Sequence, residues 1–423
     1  MPHRRWSWIT ESLVESGHEV TVVTPVAGRE RGCKGLRRFL RELFMRRILV
    51  AEIGPHGESI FRVPASKHSH SLIKRASNQG MVALSSLVTV LVIWRNASIG
   101  TKPHLIVGTV PALPTAVATW LASRITHTPY VIDLRDAWPQ LLEEASRWDE
   151  ARGESSTPRS VVLHRTIGIA GGLVERLMHR IYREAGGVVL TAETLGKNLV
   201  DDGVLNEANL YILRNVYPTP LRPKANDPSL KASKESLRVI YAGKVGRAQD
   251  LNTVLEAISL ASKRGYSIQL RVRGTGAGLQ EAQELADRLG VSVDFGEVVA
   301  RQALQEDFDW ADTALVHLRN WPALQQAVPS KTFELMRQRI HITGVVAGET
   351  ADLIRSLGAG HVVAPGDSRG LADLWVRLLE NPGELSVSDK AQQWVSSTAK
   401  EELENFPAFL ERVIKNGRTE RTV

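Results

Sequence analysis

The chain has 423 residues, which is enough for two or three domains of about 100–200 residues each. Its 43% hydrophobic and 23% charged residues exclude collagen-like, coiled-coil and mainly disordered proteins. The net charge of +7 suits anionic partners such as phosphates or acidic lipids without selecting one of them. Cys33 is the only cysteine, which excludes an intramolecular disulfide and a cysteine-based zinc cluster and favours a reducing cytoplasm.

Short β-rich apolar runs alternate with helical patterns along most of the chain, which predicts α/β domains with parallel sheets. In the first half of the chain we predict strands at Val20–Thr24, Leu105–Thr109, Tyr130–Leu134, Val188–Thr191 and Tyr211–Leu213. We predict helices there at Arg5–Ser16, Leu113–Arg124 and Leu173–Glu184. The chain opens on a helical pattern, whereas a doubly wound domain normally begins with a strand and a Gly-rich turn. Either the protein starts upstream of Met1, or this domain has a smaller sheet.

Two segments of the first half are candidates for a membrane surface. Arg29–Leu49 predicts a basic amphipathic helix, with an apolar stripe that includes Phe39 and Phe44 and with Arg37, Arg38 and Arg41 on other faces. Such a helix is typical of elements that bind anionic lipid head groups, although a surface helix packed on its own domain has the same pattern. The apolar run Met81–Trp94 is shorter than the roughly 20 residues needed to span a bilayer, so we predict a buried helix there.

A proline-rich segment, Tyr217–Ser236, divides the chain, and a second alternation of strands and helices follows it. We therefore predict a domain over residues 1–220, a linker over 221–236 and a second domain over 237–395. In the second domain the strands are expected at Val239–Ala242, Gln269–Arg273, Val291–Phe295, Ala314–Leu318 and Ile340–Val345, and the helices at Leu251–Lys263, Leu279–Leu289 and Lys331–Arg337. Two such halves would face each other across a cleft, where open α/β sheets bind ligands at the carboxyl ends of their strands.

Polar residues follow the predicted strand Tyr130–Leu134 of the first domain. Asp133, Arg135 and Asp136 stand at the end of an apolar run, where charges are costly unless they are paired or bound to a ligand. A structural Asp–Arg pair and a contact with the transferred group or the acceptor both account for this pattern.

The second domain has two Gly-rich strand ends. Tyr241–Asp250 (YAGKVGRAQD) could receive a diphosphate through its backbone N–H groups and through Lys244 or Arg247. Arg273–Gly278 (RGTGAG) repeats the arrangement. The signal is weak, because glycine turns are routine at strand ends and need no ligand.

The segment Val328–Glu334 (VPSKTFE) is the most informative one. Pro329 and Ser330 can begin a helix whose N–H groups point at an anion, Lys331 adds a positive charge, and Glu334 lies one turn further on, where a carboxylate can bind a ribose diol. Simple capping by Ser330 remains an alternative.

These residues resemble retaining glycosyltransferases of family 4, which have the GT-B fold of two Rossmann-like domains, and the branch that builds bacterial surface polysaccharides is the most similar. The resemblance runs nearly end to end, through Gly17–Pro25, Tyr130–Pro139, Tyr241–Asp250, Val328–Glu334, Ala347–Thr350 and Gly358–Asp367. It implies a nucleotide-sugar donor in the C-terminal domain and an acceptor in the N-terminal domain. It also implies that residues 396–423 form a helix and tail, the helix packing back on the first domain.

The resemblance assigns roles to individual residues. Those near the donor would be Gly243, Lys244, Gly246 and Arg247 at the diphosphate, Arg273 and Gly274 at the base, Ser330 and Lys331 at the phosphates, and Glu334 at the ribose. Asp136, Arg135 and Lys244 are the candidate catalytic residues. No metal or other cofactor is expected, because fixed cations and helix N–H groups can stabilise the departing nucleoside diphosphate.

The expected function is therefore transfer of a hexosyl or N-acetylhexosaminyl group from a donor, with UDP as the expected nucleotide, to a lipid-linked or polysaccharide acceptor of the cell envelope. The expected location is the cytoplasm, at the inner face of the plasma membrane, with an anionic membrane surface as a further partner and no nucleic acid. Family members often carry a glutamate at the position of Gln326. A catalytically inactive binding subunit therefore remains an alternative. A nucleotide-sugar epimerase is a second one, because it has a similar two-domain fold.

Overall fold

The computed structural model describes residues 4–26, 51–65, 72–110, 113–137, 158–217, 221–224, 235–246, 248–297 and 303–419. The chain divides into two units. Unit 1 comprises Met1–Thr191, Leu195–Arg214 and Glu401–Val423, and unit 2 comprises Ala192–Thr194 and Asn215–Lys400.

Unit 1 is an α/β domain that begins with a helix. Its strands are β1 (Thr21–Pro25), β2 (Glu52–Ile53), β3 (Ser59–Val63), β4 (Ile106–Val110), β5 (Tyr130–Leu134), β6 (Gly187–Leu190) and β7 (Leu210–Ile212). Its helices are α1 (Arg4–Glu15), α2 (Leu72–Asn96), α3 (Leu113–Thr126), α4 (Pro158–Glu184) and α5 (Glu193–Asp201), the last of which starts on the two residues that belong to unit 2.

The strands of unit 1 form two sheets. One has the order β1-β3-β2, with β1 and β3 parallel, and the other has the order β4-β5-β6-β7, with all strands parallel. All residues of β5 and β6 are buried, as expected for parallel strands covered on both faces.

Unit 2 contains a second set of alternating strands and helices. Its strands are β8 (Ser236–Ala242), β9 (Ser267–Arg273), β10 (Val293–Gly296), β11 (Thr313–His317), β12 (Ile342–Val345) and β13 (Gly360–Val363). Its helices are α6 (Leu251–Lys263), α7 (Leu279–Leu289), α8 (Leu304–Trp310), α9 (Pro322–Gln325), α10 (Ser330–Arg337), α11 (Glu349–Ser356), α12 (Ser368–Glu380) and α13 (Asp389–Thr419), whose residues from Glu401 onward belong to unit 1.

The unit 2 sheet has the order β10-β9-β8-β11-β12-β13, and all its strands are parallel. Leu237, Val239 and Tyr241 of β8 enter one hydrophobic cluster, whereas Ile240 enters the other. This alternation covers both faces of the sheet, and the strand order is that of a Rossmann fold, which reverses between β8 and β11.

The C-terminal part of α13 packs on unit 1. The Tyr211 ring of β7 lies 4.9 Å from the ring of Phe409 and 5.5 Å from that of Phe406. A Cβ atom on Gly186 would lie 2.5 Å from the side chain of Val413, so this position leaves no room for a larger residue.

Most predicted elements are confirmed, with ends that differ by at most three residues, and β5, α6 and α7 have the predicted bounds. The prediction at Leu173–Glu184 was too short, because the helix begins at Pro158. The division between the units falls at Asn215 rather than at residue 221, since Val216 and Leu221 pack into the core of unit 2.

The prediction of a buried helix at Met81–Trp94 is wrong. Helix α2 extends beyond that run at both ends, and within the described residues it contains the one stretch, Ala76–Asn96, that is long and apolar enough to cross a membrane. Only 17% of this stretch is buried. The fully buried positions of α2 are small or hydroxyl-bearing, so its aliphatic side chains remain partly exposed.

Candidate functional site

Lys331 lies at the point where the strand order of unit 2 reverses. Its Nζ is 3.8 Å from the centre of the Tyr241 ring of β8. This Nζ is buried and has no hydrogen-bond partner among the described residues, and burial lowers the pKa of Lys331 to about 7. A buried ammonium without an acceptor is costly, so this position is suited to binding an anion.

His317 stands beside it as the last residue of β11. The side chain is fully buried, and neither ring nitrogen has a hydrogen-bond partner within the described part of the chain. Burial, together with the positive charges of Lys331 and Arg319, lowers the pKa of His317 to about 3, so the imidazole is neutral at physiological pH. The sequence reading missed this residue, although a histidine that ends the apolar strand TALVH was a usable signal.

The two Gly-rich loops of unit 2 pack against each other. The Gly243 N–H donates to the carbonyl of Arg273, at 3.0 Å, and a Cβ on Gly274 would lie 1.8 Å from the carbonyl oxygen of Gly243. The Gly246 N–H donates to the side chain of Gln249. Gly274 is therefore required by this close approach. The N–H groups of Gly243 and Gly246, which were expected to bind a diphosphate, have these partners in the ligand-free chain.

Lys244 lies in the first of these loops, and its side chain is exposed. Its carbonyl oxygen accepts a hydrogen bond from the Tyr241 hydroxyl, at 2.7 Å, which fixes the loop to β8. Lys244 therefore presents a positive charge to solvent, and a Cβ on the preceding Gly243 would lie 3.4 Å from the Lys331 Nζ. Arg247, which was predicted to act with it, lies outside the described residues.

Arg273, which was expected to contact the donor base, forms two ion pairs. Its Nε donates to Asp307, at 2.9 Å, and its Nη2 donates to Asp294, at 2.7 Å. These bonds raise the pKa of Arg273 further above its ordinary value. Arg271 also pairs with Asp307 and lies over the Trp310 ring. We therefore assign Arg273 a structural role.

Helix α10 starts as the sequence predicted. It begins at Ser330 after Pro329, and no side chain caps it, so the alternative of capping by Ser330 is not observed. Glu334 lies one turn into the helix. Burial lowers the pKa of Arg337, and the negative charge of Glu334 opposes this shift. Gln326, the residue that replaces a glutamate, has a buried Oε1 with no hydrogen-bond partner among the described residues.

In unit 1, Asp133 forms the structural pair that was one of two alternatives. Its Oδ1 accepts from the Arg5 guanidinium, at 2.9 Å, and its Oδ2 accepts from the indole of Trp6, at 3.0 Å. Arg5 also donates to the carbonyl of Leu213, at 2.8 Å, and both ionic side chains are fully buried. The pair joins α1 to the carboxyl ends of β5 and β7.

Arg135 and Asp136 follow β5 directly. The Asp136 side chain retains exposed surface. The surrounding chain nevertheless desolvates the carboxyl and so raises the pKa of Asp136, while the positive charge of Arg135 opposes this shift. The carbonyl of Arg135 accepts a hydrogen bond from Thr191, at 3.3 Å. A carboxyl with a raised pKa at a strand end is a candidate for proton transfer.

Glu349 is a second residue that the sequence reading did not single out. Its carboxylate accepts from the backbone N–H groups of Glu193 and Thr194, at 3.0 and 2.7 Å, in the part of α5 that belongs to unit 2. The preceding Gly348 has a φ of +67°, and a Cβ there would lie 2.1 Å from the carbonyl oxygen of Gln325. The glycine of this AGET motif therefore allows α9 to approach α11 closely.

The predicted membrane-binding residues Arg37, Arg38, Phe39, Arg41 and Phe44 lie outside the described residues. No group of three or more metal-ligating side chains occurs within the described ranges.

Residues 2–213 match the model of a family described as the glycosyl transferase 4-like domain. No curated protein matches the chain in sequence. Among solved structures, sucrose-phosphate synthase from Thermosynechococcus elongatus is similar, with a TM-score of 0.60 and 14% identity over 98% of this chain and 91% of that one.

Two further similar structures contain UDP. HepE of Anabaena, in complex with UDP and glucose, has a TM-score of 0.59 and 14% identity over 93% of this chain and 100% of that one. A mutant of TarM of S. aureus, in complex with Fondaparinux, alpha-GlcNAc-glycerol and UDP, has a TM-score of 0.50 and 11% identity over 78% of this chain and 59% of that one. At these identities the similarity shows the fold, which is GT-B with two Rossmann-like domains.

Proposed function

The chain belongs to the glycosyl transferase 4-like family, and we propose that it transfers a sugar from a UDP-linked donor to a lipid-linked or polysaccharide acceptor of the cell envelope. The anomeric configuration is retained, as in the family that the sequence resembles. The transferred group is a hexosyl or N-acetylhexosaminyl group. The protein works in the cytoplasm, at the inner face of the plasma membrane.

The observation that carries this proposal is the buried pair of Lys331 and His317. Both side chains lack hydrogen-bond partners among the described residues, and both lie at the topological switch point of the unit 2 sheet. A doubly wound sheet binds its ligand at this point. An anion such as a diphosphate supplies the acceptor that the Lys331 ammonium lacks, and the site is therefore suited to the departing group of a nucleotide sugar.

UDP is proposed as the nucleotide because HepE and TarM, which share the fold, are described in complex with UDP. The ribose of the donor is assigned to Glu334, which lies one helical turn after the phosphate-binding start of α10. Ser330, at the first position of the same helix, is assigned to the phosphates.

In the proposed reaction, the bond between the sugar C1 and the diphosphate oxygen breaks while the acceptor oxygen bonds to C1 on the same face. The acceptor proton moves to an oxygen of the leaving diphosphate. Lys331 and the exposed Lys244 stabilise the negative charge that develops there. Asp136 and Arg135 of unit 1 are assigned to the acceptor, with the Asp136 carboxyl able to hold the acceptor hydroxyl.

The test is binding and turnover of the full chain with a panel of UDP- and GDP-linked sugars, in parallel for the parent, Lys331→Met and the exposed control Lys263→Met. We expect turnover with a UDP-sugar, loss of that turnover in Lys331→Met and no change in Lys263→Met. Binding of a donor without turnover in the parent would instead support the inactive binding subunit, for which Gln326 is the motive. Interconversion of the donor sugar without transfer would support the epimerase.

A further inference from the structure

Helix α2 has a burial pattern that is unusual for a helix on a surface exposed to water. Among its described side chains, the fully buried ones are Ala83, Ser85 and Thr89, and the Thr89 hydroxyl donates to the carbonyl of Ser85, at 2.8 Å. The aliphatic residues between them are only partly buried, and Leu84 is 60% exposed. A helix that turns small and hydroxyl-bearing residues inward and aliphatic residues outward is suited to apolar surroundings on its outer face.

Helix α3 repeats this inverted pattern. Its buried residues are Ala116, Ala118, Thr119, Ala122 and Thr126. By contrast, Val117, Trp120 and Leu121 are partly exposed, and Ile125 is 55% exposed. Helix α3 packs along α2, so the two outer faces adjoin each other.

Helix α4 extends the apolar surface, since it packs against α3 and leaves Leu173 and Leu177 exposed, the former by 62%. Of the five large hydrophobic residues that are exposed in the described part of the chain, four lie on these three helices, and the fifth is Ile53 of β2. Exposed apolar side chains that cluster on adjacent helices mark an interaction surface, whereas a single one such as Ile53 does not.

The charges on the same helices are almost all positive. Together α2, α3 and α4 contain nine Lys or Arg residues and two Glu, and α2 and α3 contain no acidic residue. Glu184, one of the two acids, is already paired with Arg124 and Arg180. At the end of α2, the Lys102 ammonium lies 4.0 Å from the centre of the Trp94 ring, an aromatic and basic combination that is typical of membrane interfaces.

We propose that the face formed by α2, α3 and α4 docks on an anionic lipid bilayer, with Leu84, Ile125 and Leu173 entering the acyl boundary and the basic residues contacting the head groups. An exposed apolar face on helices whose charged residues are mainly basic is complementary to such a surface. The face lies on the membrane rather than across it, because α2 also packs against β1, β3 and α3. The proposal rests on surface composition and does not depend on the transfer reaction.

The test is sedimentation of the full chain with vesicles of phosphatidylcholine alone and of phosphatidylcholine mixed with phosphatidylglycerol, without any donor. We expect binding only to the anionic vesicles, and weaker binding at high salt. The double variant Leu84→Ser/Ile125→Ser should bind at least about tenfold more weakly, because two aliphatic groups no longer leave water. The matched control Ile53→Ser, which changes an exposed isoleucine of another surface, should bind as the parent does.

A second measurement does not depend on how the double variant folds. Brominated acyl chains should quench part of the tryptophan fluorescence of the parent, and Trp94→Phe should show less quenching. Equal vesicle binding by the double variant and the parent would overturn the proposal. So would a lipid-free dimer that the double variant dissociates, together with an absence of vesicle binding, because the face would then pair with a second copy of the chain.

Discussion

Replacement of Lys331 by methionine should stabilise the ligand-free protein while it impairs donor binding. The change keeps the length of the side chain and removes an ammonium whose Nζ is buried without a hydrogen-bond partner among the described residues. A residue that is retained at a cost to folding is better explained by a ligand than by the fold. The variant therefore separates a binding role from a structural one.

The magnitude follows from the pKa of Lys331, which burial lowers from 10.5 to about 7. This shift corresponds to about 5 kcal/mol between the protonation states. At pH 7 the folded lysine is already half deprotonated, so about 4 kcal/mol of destabilisation remains at this pH. Between pH 7 and 10.5 the unfolded state binds the proton more tightly, so the stability of the parent rises with pH through this range and the difference disappears above it.

The assay is urea unfolding of the parent, Lys331→Met and Lys263→Met at pH 7 and near pH 10, together with calorimetric titration with UDP. At pH 7 we expect Lys331→Met to be more stable by about 4 kcal/mol, with the gain smaller near pH 10. UDP binding should weaken by about 1.5–3 kcal/mol. If Lys331→Met were less stable than the parent by the same amount at both pH values, the ammonium would have a structural partner and the reasoning would be refuted.

Three further substitutions test other parts of the two units by urea unfolding. Because the pKa of His317 is lowered to about 3, we expect the stability of the parent to fall by about 2 kcal/mol between pH 6.5 and 5, and His317→Leu should remove this loss. Asp133→Asn removes the carboxylate charge that balances the buried guanidinium of Arg5 and should cost about 3–5 kcal/mol, and no loss would deny the pair its structural role. Gly274→Ala places a Cβ 1.8 Å from a carbonyl oxygen and should lower both stability and UDP affinity, whereas Gly383→Ala, with open space around it, should change neither.

The strand and helix pattern of both units could be predicted from the sequence because parallel strands buried on both faces are continuous apolar runs. Tyr130–Leu134 is such a run, and its predicted and observed bounds agree. Where the pattern was different, prediction failed. The short β2 is an edge strand whose two residues are exposed, and the residues of β13, Gly360–Val363, are only partly buried. Neither segment therefore forms a continuous apolar run in the sequence.

The chemistry of the strand ends was predictable in part only, because a sequence does not show which charges are paired. Asp133 and Arg273 lie at the carboxyl ends of β5 and β9, as ligand-binding residues do, yet their partners Arg5 and Asp307 come from distant positions in the chain. Gly274 of the RGTGAG loop was expected near the donor base, but the close approach of two loops by itself requires a glycine there. A pairing at long sequence separation has no local signature.

The distinction between paired and unpaired groups also separates structural from functional residues at the carboxyl ends of the strands. Arg5 and Arg273 are held by carboxylates, and truncation of a partner should cost stability. Lys331 and His317 are buried without a hydrogen-bond partner among the described residues, so their retention is costly to the ligand-free fold. An anionic donor relieves that cost only when it is bound, which means that part of the free energy of binding arises from the unsatisfied state of the site. For the same reason, a substitution at Lys331 that raises the stability of the ligand-free protein is expected to lower donor binding and turnover.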